Sequence, residues 1–185
     1  LAGEGKTPLY FALDGKLAGI IAVADVVKDD SKQAISELQS MGVRTVMLTG
    51  DNRRTALAVA KQIGVENVVS DVLPGDKADV VKKLQKYGTV AMVGDGINDA
   101  PALTRADIGI AMGGLGADSA IEAADIVIMT DQPSKIISAI KLSKKTMRIV
   151  RENIIFAIAI KILVLVLTAV GLSSMWQAVF ADVGV

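Results

Sequence analysis

A run of apolar residues at positions 154–172 constrains the fold of this chain more than any other feature. The run is about nineteen residues long and carries one charge, Lys161. As an α-helix it is long enough to cross the hydrocarbon core of a bilayer. Five basic residues precede it, as is typical of the cytoplasmic entrance of a membrane helix: Lys141, Lys144, Lys145, Arg148 and Arg151. The alternative is a buried core helix of a soluble protein.

The two ends of the chain favour a piece of a longer protein. The sequence starts at Leu1, and a second apolar segment, 175–185, runs to the last residue, Val185. We therefore expect a membrane helical hairpin whose second helix is truncated. Hydrophobic residues make up 51% of the chain, which is high for a soluble domain, and the excess lies in this C-terminal part.

The residue types that are absent narrow the chemistry. The chain has no cysteine and no histidine. This excludes disulfides, thiolate or imidazole metal ligands, and Ser-His or Cys-His catalysis within this piece. Twenty basic and 20 acidic residues give no net charge, so no overall field indicates nucleic acid as a partner. Any chemistry must therefore use carboxylates, lysines, hydroxyls and backbone groups.

Before the apolar run, strand-like segments alternate with helix-like ones. This alternation predicts an α/β fold, a parallel sheet with helices on both faces. The strand at 17–24 reads as a buried one. The predicted strands are 8–13, 17–24, 43–48, 68–69, 89–93, 108–112 and 126–129, and the predicted helices are 31–41, 55–63, 76–87, 99–105, 119–123 and 134–153.

Two carboxylates and an amide follow the strand at 89–93, in Gly-Asp-Gly-Ile-Asn-Asp: Asp95, Asn98 and Asp99. In α/β sheets, ligands bind at the carboxyl ends of strands. A few carboxylates together with phosphate oxygens suit Mg²⁺. The segment therefore predicts a Mg²⁺ site, and the alternative is an ordinary acidic turn, since these residue types also dominate loops.

Two further segments place polar groups at neighbouring element ends. Thr49 and Asp51 follow the strand at 43–48, and Lys77 stands near the start of the helix at 76–87. A hydroxyl that binds a phosphoryl oxygen, a lysine that neutralises it and carboxylates for Mg²⁺ are the groups that phosphoryl transfer needs. Taken singly, Thr49 and Asp51 are also consistent with helix capping, and Lys77 with a solvated surface position.

The strings MLTGDN, PGDKADVV and GDGINDAPAL, in this order and spacing, resemble the phosphorylation domain of P-type ATPases. That domain has the haloacid-dehalogenase-like fold and takes its phosphoryl group from ATP. The resemblance covers essentially the whole chain. It implies a role in phosphoryl transfer for seven residues: Thr49 and Gly50 contacting an aspartyl-phosphate, Lys77 neutralising it, Asp95 ligating Mg²⁺, Asn98 and Asp99 supporting the phosphoryl group and the metal site, and Asp51 assisting closure of the nucleotide domain.

One part of the family's pattern is missing. The Asp-Lys-Thr-Gly-Thr string that holds the family's nucleophile does not occur here, nor does its Thr-Gly-Glu loop. Covalent catalysis requires that nucleophile. We therefore expect this piece alone to be inactive and its partners to include upstream domains of the same polypeptide.

The membrane part contains two charged residues at similar depth. Counted from the turn between the two apolar segments, Lys161 and Asp182 lie roughly 15 Å and 10 Å deep. A charge at such depth is by default functional, and a lysine side chain spans the difference. The alternatives are a structural ion pair without a transport role, or a second segment that lies at the membrane interface.

The residues around Lys161 and Asp182 resemble the last two membrane helices of zinc-, cadmium- and lead-exporting ATPases, and they lack the Tyr-Asn and Met-Ser-Ser patterns of copper exporters. The resemblance implies that Asp182 coordinates the transported divalent ion and that Lys161 is a counter-ion that promotes its release. Cysteine ligands for that ion would lie upstream.

These observations predict part of an integral membrane protein, of the bacterial cell membrane, whose phosphorylation domain is cytoplasmic. A pump for another ion such as Cu⁺, a soluble phosphatase of the same fold and a non-catalytic membrane fragment are the alternatives. The predicted segments are 1–16, the end of a nucleotide-binding domain; 17–133, the phosphorylation domain; 134–153, a connecting helix; 154–172, a membrane helix; and 175–185, the start of the last one.

Overall fold

A computed structural model describes residues 6–23, 26–94, 97–113 and 118–171. The chain divides into two compact units, Leu1–Ile137 and Ser138–Val185. Short 3-10 turns lie at Pro74–Asp76, Gln85–Tyr87 and Ile97–Asp99. The strands and α-helices are β1 (Thr7–Leu13), β2 (Lys16–Val23), α1 (Ser31–Ser40), β3 (Val46–Leu48), α2 (Arg53–Ile63), β4 (Asn67–Val69), α3 (Lys77–Leu84), β5 (Ala91–Gly94), α4 (Ala100–Arg105), β6 (Ile108–Met112), α5 (Asp118–Ala123), β7 (Ile126–Ile128) and α6 (Ser134–Ala169).

The strands from β3 onward pair in parallel, which confirms the predicted α/β class. β3 pairs with β4, with Val46 opposite Asn67 and Leu48 opposite Val69. β5, β6 and β7 form a second parallel ladder in that order. Across the described residues these are two separate sheets, whereas the sequence predicts one. The edges of β3 and β5 that face away from β4 and β6 carry no ladder partner in this part of the chain.

The first two strands form an antiparallel hairpin, in which Thr7 pairs with Val23 and Leu13 with Lys16. The prediction of a buried strand at 17–24 is wrong, because all eight residues of β2 are exposed. Apolar composition shows that a strand is suited to burial, but not whether a covering layer is present. The sequence predicts a domain boundary at residue 16, and the hairpin has residues on both sides of it. That boundary stays a prediction.

A small apolar core holds α4 and α5 against the sheet formed by β5, β6 and β7. Leu103 of α4 and Ala111 of β6 are buried, at 1% and 4% exposure. They pack with partly buried side chains from the neighbouring elements. Burying a leucine side chain stabilises the fold by about 2 kcal/mol. The partly buried residues are Met92, Ala123, Ala124 and Val127.

Helix α6 is one continuous helix that includes the predicted connecting helix and most of the predicted membrane helix. Within the described residues it is the helix whose length and composition suffice to cross a membrane. The helix ends at Ala169, and just past it Gly171 has φ 79° and donates its N–H to the carbonyl of Thr168. Glycine readily adopts this left-handed conformation just past a helix. The predicted last helix, with Asp182, lies outside the described residues.

Two polar contacts fasten the start of α6 and the residues just before it to the segment that follows the hairpin. The Ser134 N–H donates to Asp30 Oδ2 at 2.9 Å, and Lys28 forms an ion pair with Asp131. The backbone N–H and the hydroxyl of Ser134 lower the pKa of Asp30 below its usual value of 3.8. A carboxylate at a helix N-terminus is also favoured by the helix dipole.

We expect Asp30→Asn to reduce stability by about 1 kcal/mol at neutral pH, since it removes the charge from this cap. The pKa of Asp30 is lower in the folded protein than in the unfolded chain. The contribution of the Asp30 carboxylate to folding stability is therefore present above pH 3.8, and it disappears as the pH falls through the lowered pKa. Thermal unfolding of the purified protein at pH 7 and pH 3 measures the difference. The exposed neighbour Asp29 provides the control, Asp29→Asn; equal effects of the two variants would contradict the assignment.

Candidate functional site

The loop at 49–52 follows the carboxyl end of β3, and hydrogen bonds from its own side chains stabilise it. The Thr49 hydroxyl donates to Asp51 Oδ2 at 3.0 Å and accepts from the Asp51 N–H at 3.1 Å. Asn52 then starts α2, because its Oδ1 accepts from the N–H groups of Arg54 and Thr55, both at 3.1 Å. The loop thus presents a hydroxyl and a carboxylate in a fixed arrangement directly before a helix N-terminus.

A second loop, at 70–72, holds the first one in place through the backbone. The Asp71 N–H donates to the carbonyl of Asp51 at 2.9 Å, and the Val72 N–H donates to the carbonyl of Thr49 at 3.2 Å. The Thr49 N–H donates in turn to the carbonyl of Val69 at 3.0 Å. The sequence does not predict this support. The hydrogen bonds join backbone groups of two loops about twenty residues apart, and such bonds do not require particular residue types.

Lys77 and Asp99 form a mostly buried ion pair. Their Nζ and Oδ1 atoms are 2.6 Å apart, and the side chains are 17% and 13% exposed. Lys77 begins α3, and Asp99 ends the 3-10 turn that leads into α4. The sequence assigns these residues separately, one to a phosphoryl group and one to a metal site, whereas the structure pairs them. Such a pair is strong only while both partners are present.

Gly94, the last residue of β5, makes room for Asp99. A Cβ at position 94 would lie 2.6 Å from Asp99 Cβ and 2.8 Å from its Oδ2. Contacts this short do not occur between real Cβ atoms and their neighbours. A residue without a side chain is therefore required for Asp99 to approach the end of the strand.

The structure assembles part of the predicted site. It brings Thr49 next to Asp51 and Lys77 next to Asp99, but among the described residues no hydrogen bond or ion pair joins the two pairs. Asn98 lies in the 3-10 turn at Ile97–Asp99 with an exposed side chain. The remaining predicted residues divide into two groups: Gly50 lies in the 49–52 loop and Lys161 in α6, while Asp95 and Asp182 lie outside the described residues.

The donor set available for Mg²⁺ is incomplete in the described part of the chain. No group of three or more acidic side chains gathers there. Asp99 is a hard oxygen donor of the type that Mg²⁺ prefers, but its Oδ1 already accepts from Lys77. Among the described residues, Asp99 thus retains its second carboxylate oxygen for a metal at this end of β5.

An open cleft of about 460 Å³ lies along β4 and beside the start of β3. It is lined by Val46 at the start of β3, by all three residues of β4, by Leu84 at the end of α3 and by Tyr87 after that helix. None of the predicted site residues lines it. Ligands in open parallel sheets bind at the carboxyl ends of the strands, so we place the site at the loops and not in this cleft.

Comparison with known proteins identifies the family of the chain. A family model described as haloacid dehalogenase-like hydrolase matches residues 1–107. The chain is 52% identical over 184 residues to a cadmium, zinc and cobalt-transporting ATPase of Bacillus subtilis, covering 97% of this chain and 26% of that protein. It is 53% identical over 160 residues to copper-transporting ATPase 1 of Rhizobium meliloti, covering 86% of this chain and 19% of that protein.

A solved structure extends the likeness to the fold. The crystal structure of a zinc-transporting PIB-type ATPase in the E2.Pi state matches with a TM-score of 0.84 and 42% sequence identity, over 98% of this chain and 30% of that one. The chain thus spans about a fifth to a quarter of the length of the curated relatives that it matches. These findings confirm the resemblance to P-type ATPases. The chain belongs to the haloacid dehalogenase-like hydrolase family, and its relatives within that family are metal-transporting P-type ATPases.

Proposed function

We propose that this chain is the phosphorylation domain and the adjoining membrane helix of an ATP-driven exporter of Zn²⁺, Cd²⁺ or Pb²⁺. The observation that carries the proposal is the position of the polar groups after parallel strands. The Thr49 hydroxyl follows β3, and the Lys77–Asp99 pair lies beside the end of β5. Phosphoryl transfer needs such groups, because its catalysis consists largely of positioning and charge stabilisation.

The nucleophile is expected on a strand from upstream residues of the same polypeptide. β3 pairs only with β4, and β5 pairs only with β6, in the part of the chain that the structure describes. Among the described residues each of these two strands therefore has one edge without a ladder partner, and such an edge readily accepts a further strand. One strand between β3 and β5 would complete both ladders and bring its own carboxyl end to the loops that hold Thr49 and Asp99.

In the proposed reaction, an upstream aspartate attacks the γ-phosphorus of ATP. A bond forms between the carboxylate oxygen and phosphorus, and ADP leaves; water later releases phosphate. Bound Mg²⁺ would supply charge screening, with Asp95 as its ligand and Asn98 and Asp99 in support. In our proposal the Thr49 hydroxyl turns its proton from Asp51 Oδ2 to a phosphoryl oxygen, and the Gly50 backbone also binds the phosphoryl group. Lys77 neutralises the phosphoryl charge, and Asp51 assists domain closure.

The membrane part supplies the cargo site in this proposal. Lys161 stands inside the apolar stretch of α6, at a depth where a charged side chain is by default functional. We propose that Asp182 binds the divalent ion and that Lys161 acts as its counter-ion. The basic residues of α6 before that stretch favour a cytoplasmic position for the phosphorylation domain, with α6 in the cell membrane and the lipid bilayer as its surroundings.

A copper pump is the second candidate, and one observation favours it. The Rhizobium meliloti relative at 53% identity is named a copper-transporting ATPase. Cu⁺ prefers soft thioether and thiolate ligands. A carboxylate at position 182 suits a divalent ion better, and this chemistry makes us rank Zn²⁺, Cd²⁺ and Pb²⁺ first.

Metal-dependent ATP hydrolysis by the purified full-length protein tests the function. We expect Zn²⁺, Cd²⁺ or Pb²⁺, and not Cu⁺, to stimulate hydrolysis and a phosphoenzyme to form from ATP. Asp182→Ala should remove most of the stimulation, because the cargo loses a charged ligand, whereas Asp29→Ala at an exposed position should not. Stimulation by Cu⁺ alone would establish the copper pump. Hydrolysis of phosphate esters without metal stimulation would indicate a phosphatase, and no hydrolysis at all a non-catalytic protein.

A further inference from the structure

Asp71 has an unusual backbone conformation. In the described residues, two positions other than glycine have a positive φ: Asp14 at 49° and Asp71 at 57°. Asp14 precedes Gly15, which has φ 76°, in the two-residue turn of the β1–β2 hairpin, where such angles are the rule. Asp71 lies in no hairpin. A left-handed residue outside a turn of this kind is strained, and such strain tends to occur where structure supports function.

The left-handed conformation of Asp71 directs two consecutive backbone N–H groups toward the 49–52 loop. The Asp71 N–H reaches the carbonyl of Asp51, and the Val72 N–H reaches the carbonyl of Thr49. The Asp71 side chain accepts from the Ser70 hydroxyl at 2.8 Å, so its contact is local to its own loop. The backbone of Asp71, and not its carboxylate, therefore connects the two loops.

The two loops also pack closely at Gly50. A Cβ built at Gly50 would lie 3.2 Å from the carbonyl oxygen of Val72, which is tighter than most real Cβ contacts. Val72 is itself buried, with 8% exposure. A change in the direction of the 70–72 loop would therefore either break the two hydrogen bonds or press against Gly50. The position of the Thr49 hydroxyl depends on this geometry.

We infer that Asp71 is a positioning residue for phosphoryl transfer. Its left-handed backbone holds the Thr49 hydroxyl and the Gly50 backbone in the positions from which they bind the phosphoryl group. The inference rests on the proposed function, since it concerns the same site. Asparagine and glycine accept this conformation, whereas a β-branched residue resists it strongly. The side chains at position 71 can thus separate the role of the backbone from that of the carboxylate.

The test compares Asp71→Gly, Asp71→Asn and Asp71→Val in the full-length protein. We expect Asp71→Val to lower kcat for ATP hydrolysis about tenfold, as a strain of this kind implies, with KM for ATP changed less than about twofold. Asp71→Gly and Asp71→Asn should stay within about threefold of the parent protein. In a Thr49→Ala background, Asp71→Val should lower kcat by clearly less than tenfold, because one of the two groups that Asp71 positions is already absent.

Asp14→Val is the matched control, because it forces a similar strain in an exposed hairpin turn and should leave kcat at saturating ATP unchanged. The inference would be overturned if Asp14→Val or Asp71→Gly lowered kcat as much as Asp71→Val does. It would also be overturned if the effects of Thr49→Ala and Asp71→Val on kcat multiplied. An unaltered kcat in Asp71→Val would do so as well.

Amide hydrogen exchange separates this inference from the proposed function, because it needs no turnover. We expect Asp71→Val, and not Asp71→Gly, to accelerate exchange of the Val72 and Thr49 N–H groups, even if the parent protein hydrolyses no ATP. Faster exchange in a protein without ATPase activity would refute the proposed function and leave the coupling of the loops standing, without its catalytic role. Unchanged exchange in Asp71→Val would refute the coupling whatever the activity.

Discussion

Replacing Lys77 by methionine should abolish phosphoenzyme formation and lower the free energy of unfolding by about 3–5 kcal/mol. Methionine keeps the apolar part of the side chain and removes the ammonium group, which leaves Asp99 as an unpaired carboxylate that is only 13% exposed. Removing one partner of a buried ion pair is costly, because the remaining charge keeps its desolvation penalty. The phosphoryl group would also lose its neutralising cation. Chemical denaturation and trapping of the phosphoenzyme measure the two effects separately.

Two further variants separate the ion pair from the chemistry. Lys82→Met, on the exposed side of α3, controls for loss of a lysine and should change stability by less than about 0.5 kcal/mol. Lys77→Met combined with Asp99→Leu should recover much of the stability, since apolar replacement of both partners is often neutral. The double variant should still form no phosphoenzyme. Normal phosphorylation in Lys77→Met would refute the role that we assign to Lys77.

The order of strands and helices was predictable because apolar runs and their polar breaks are local. The predicted strand at 108–112 coincides with β6, and the predicted helix at 31–41 differs from α1 by one residue. The position of Thr49 directly after a strand was predictable for the same reason. In parallel sheets, a residue that follows a strand lies at the edge where ligands bind.

What the sequence did not predict depends on contacts between distant segments. The Lys77–Asp99 pair joins residues 22 positions apart, and each residue type had a separate plausible role. Burial of β2 was predicted from its apolar residues, but burial depends on the layer that packs against a strand, which no local pattern specifies. The need for glycine at position 94 is also a tertiary effect, since the atoms that exclude a Cβ belong to Asp99.

Gly94 therefore gives the second large effect. We expect Gly94→Ala to lower the free energy of unfolding by about 1–3 kcal/mol, the usual range for overpacking. The new Cβ would lie within 3 Å of Asp99 atoms, so Asp99 must move. That movement would lengthen the 2.6 Å contact with Lys77 and should reduce the rate of phosphoenzyme formation more than tenfold.

Gly19→Ala is the matched control, because a Cβ at this strand position meets no atom within 4 Å. It should leave stability within about 0.5 kcal/mol of the parent protein and phosphorylation unchanged. If Gly94→Ala acts through the ion pair, its effect on stability should be smaller in a Lys77→Met background, since the contact that it disturbs is already absent there. Fully additive effects of the two substitutions would show that Gly94 serves strand β5 itself and not the position of Asp99.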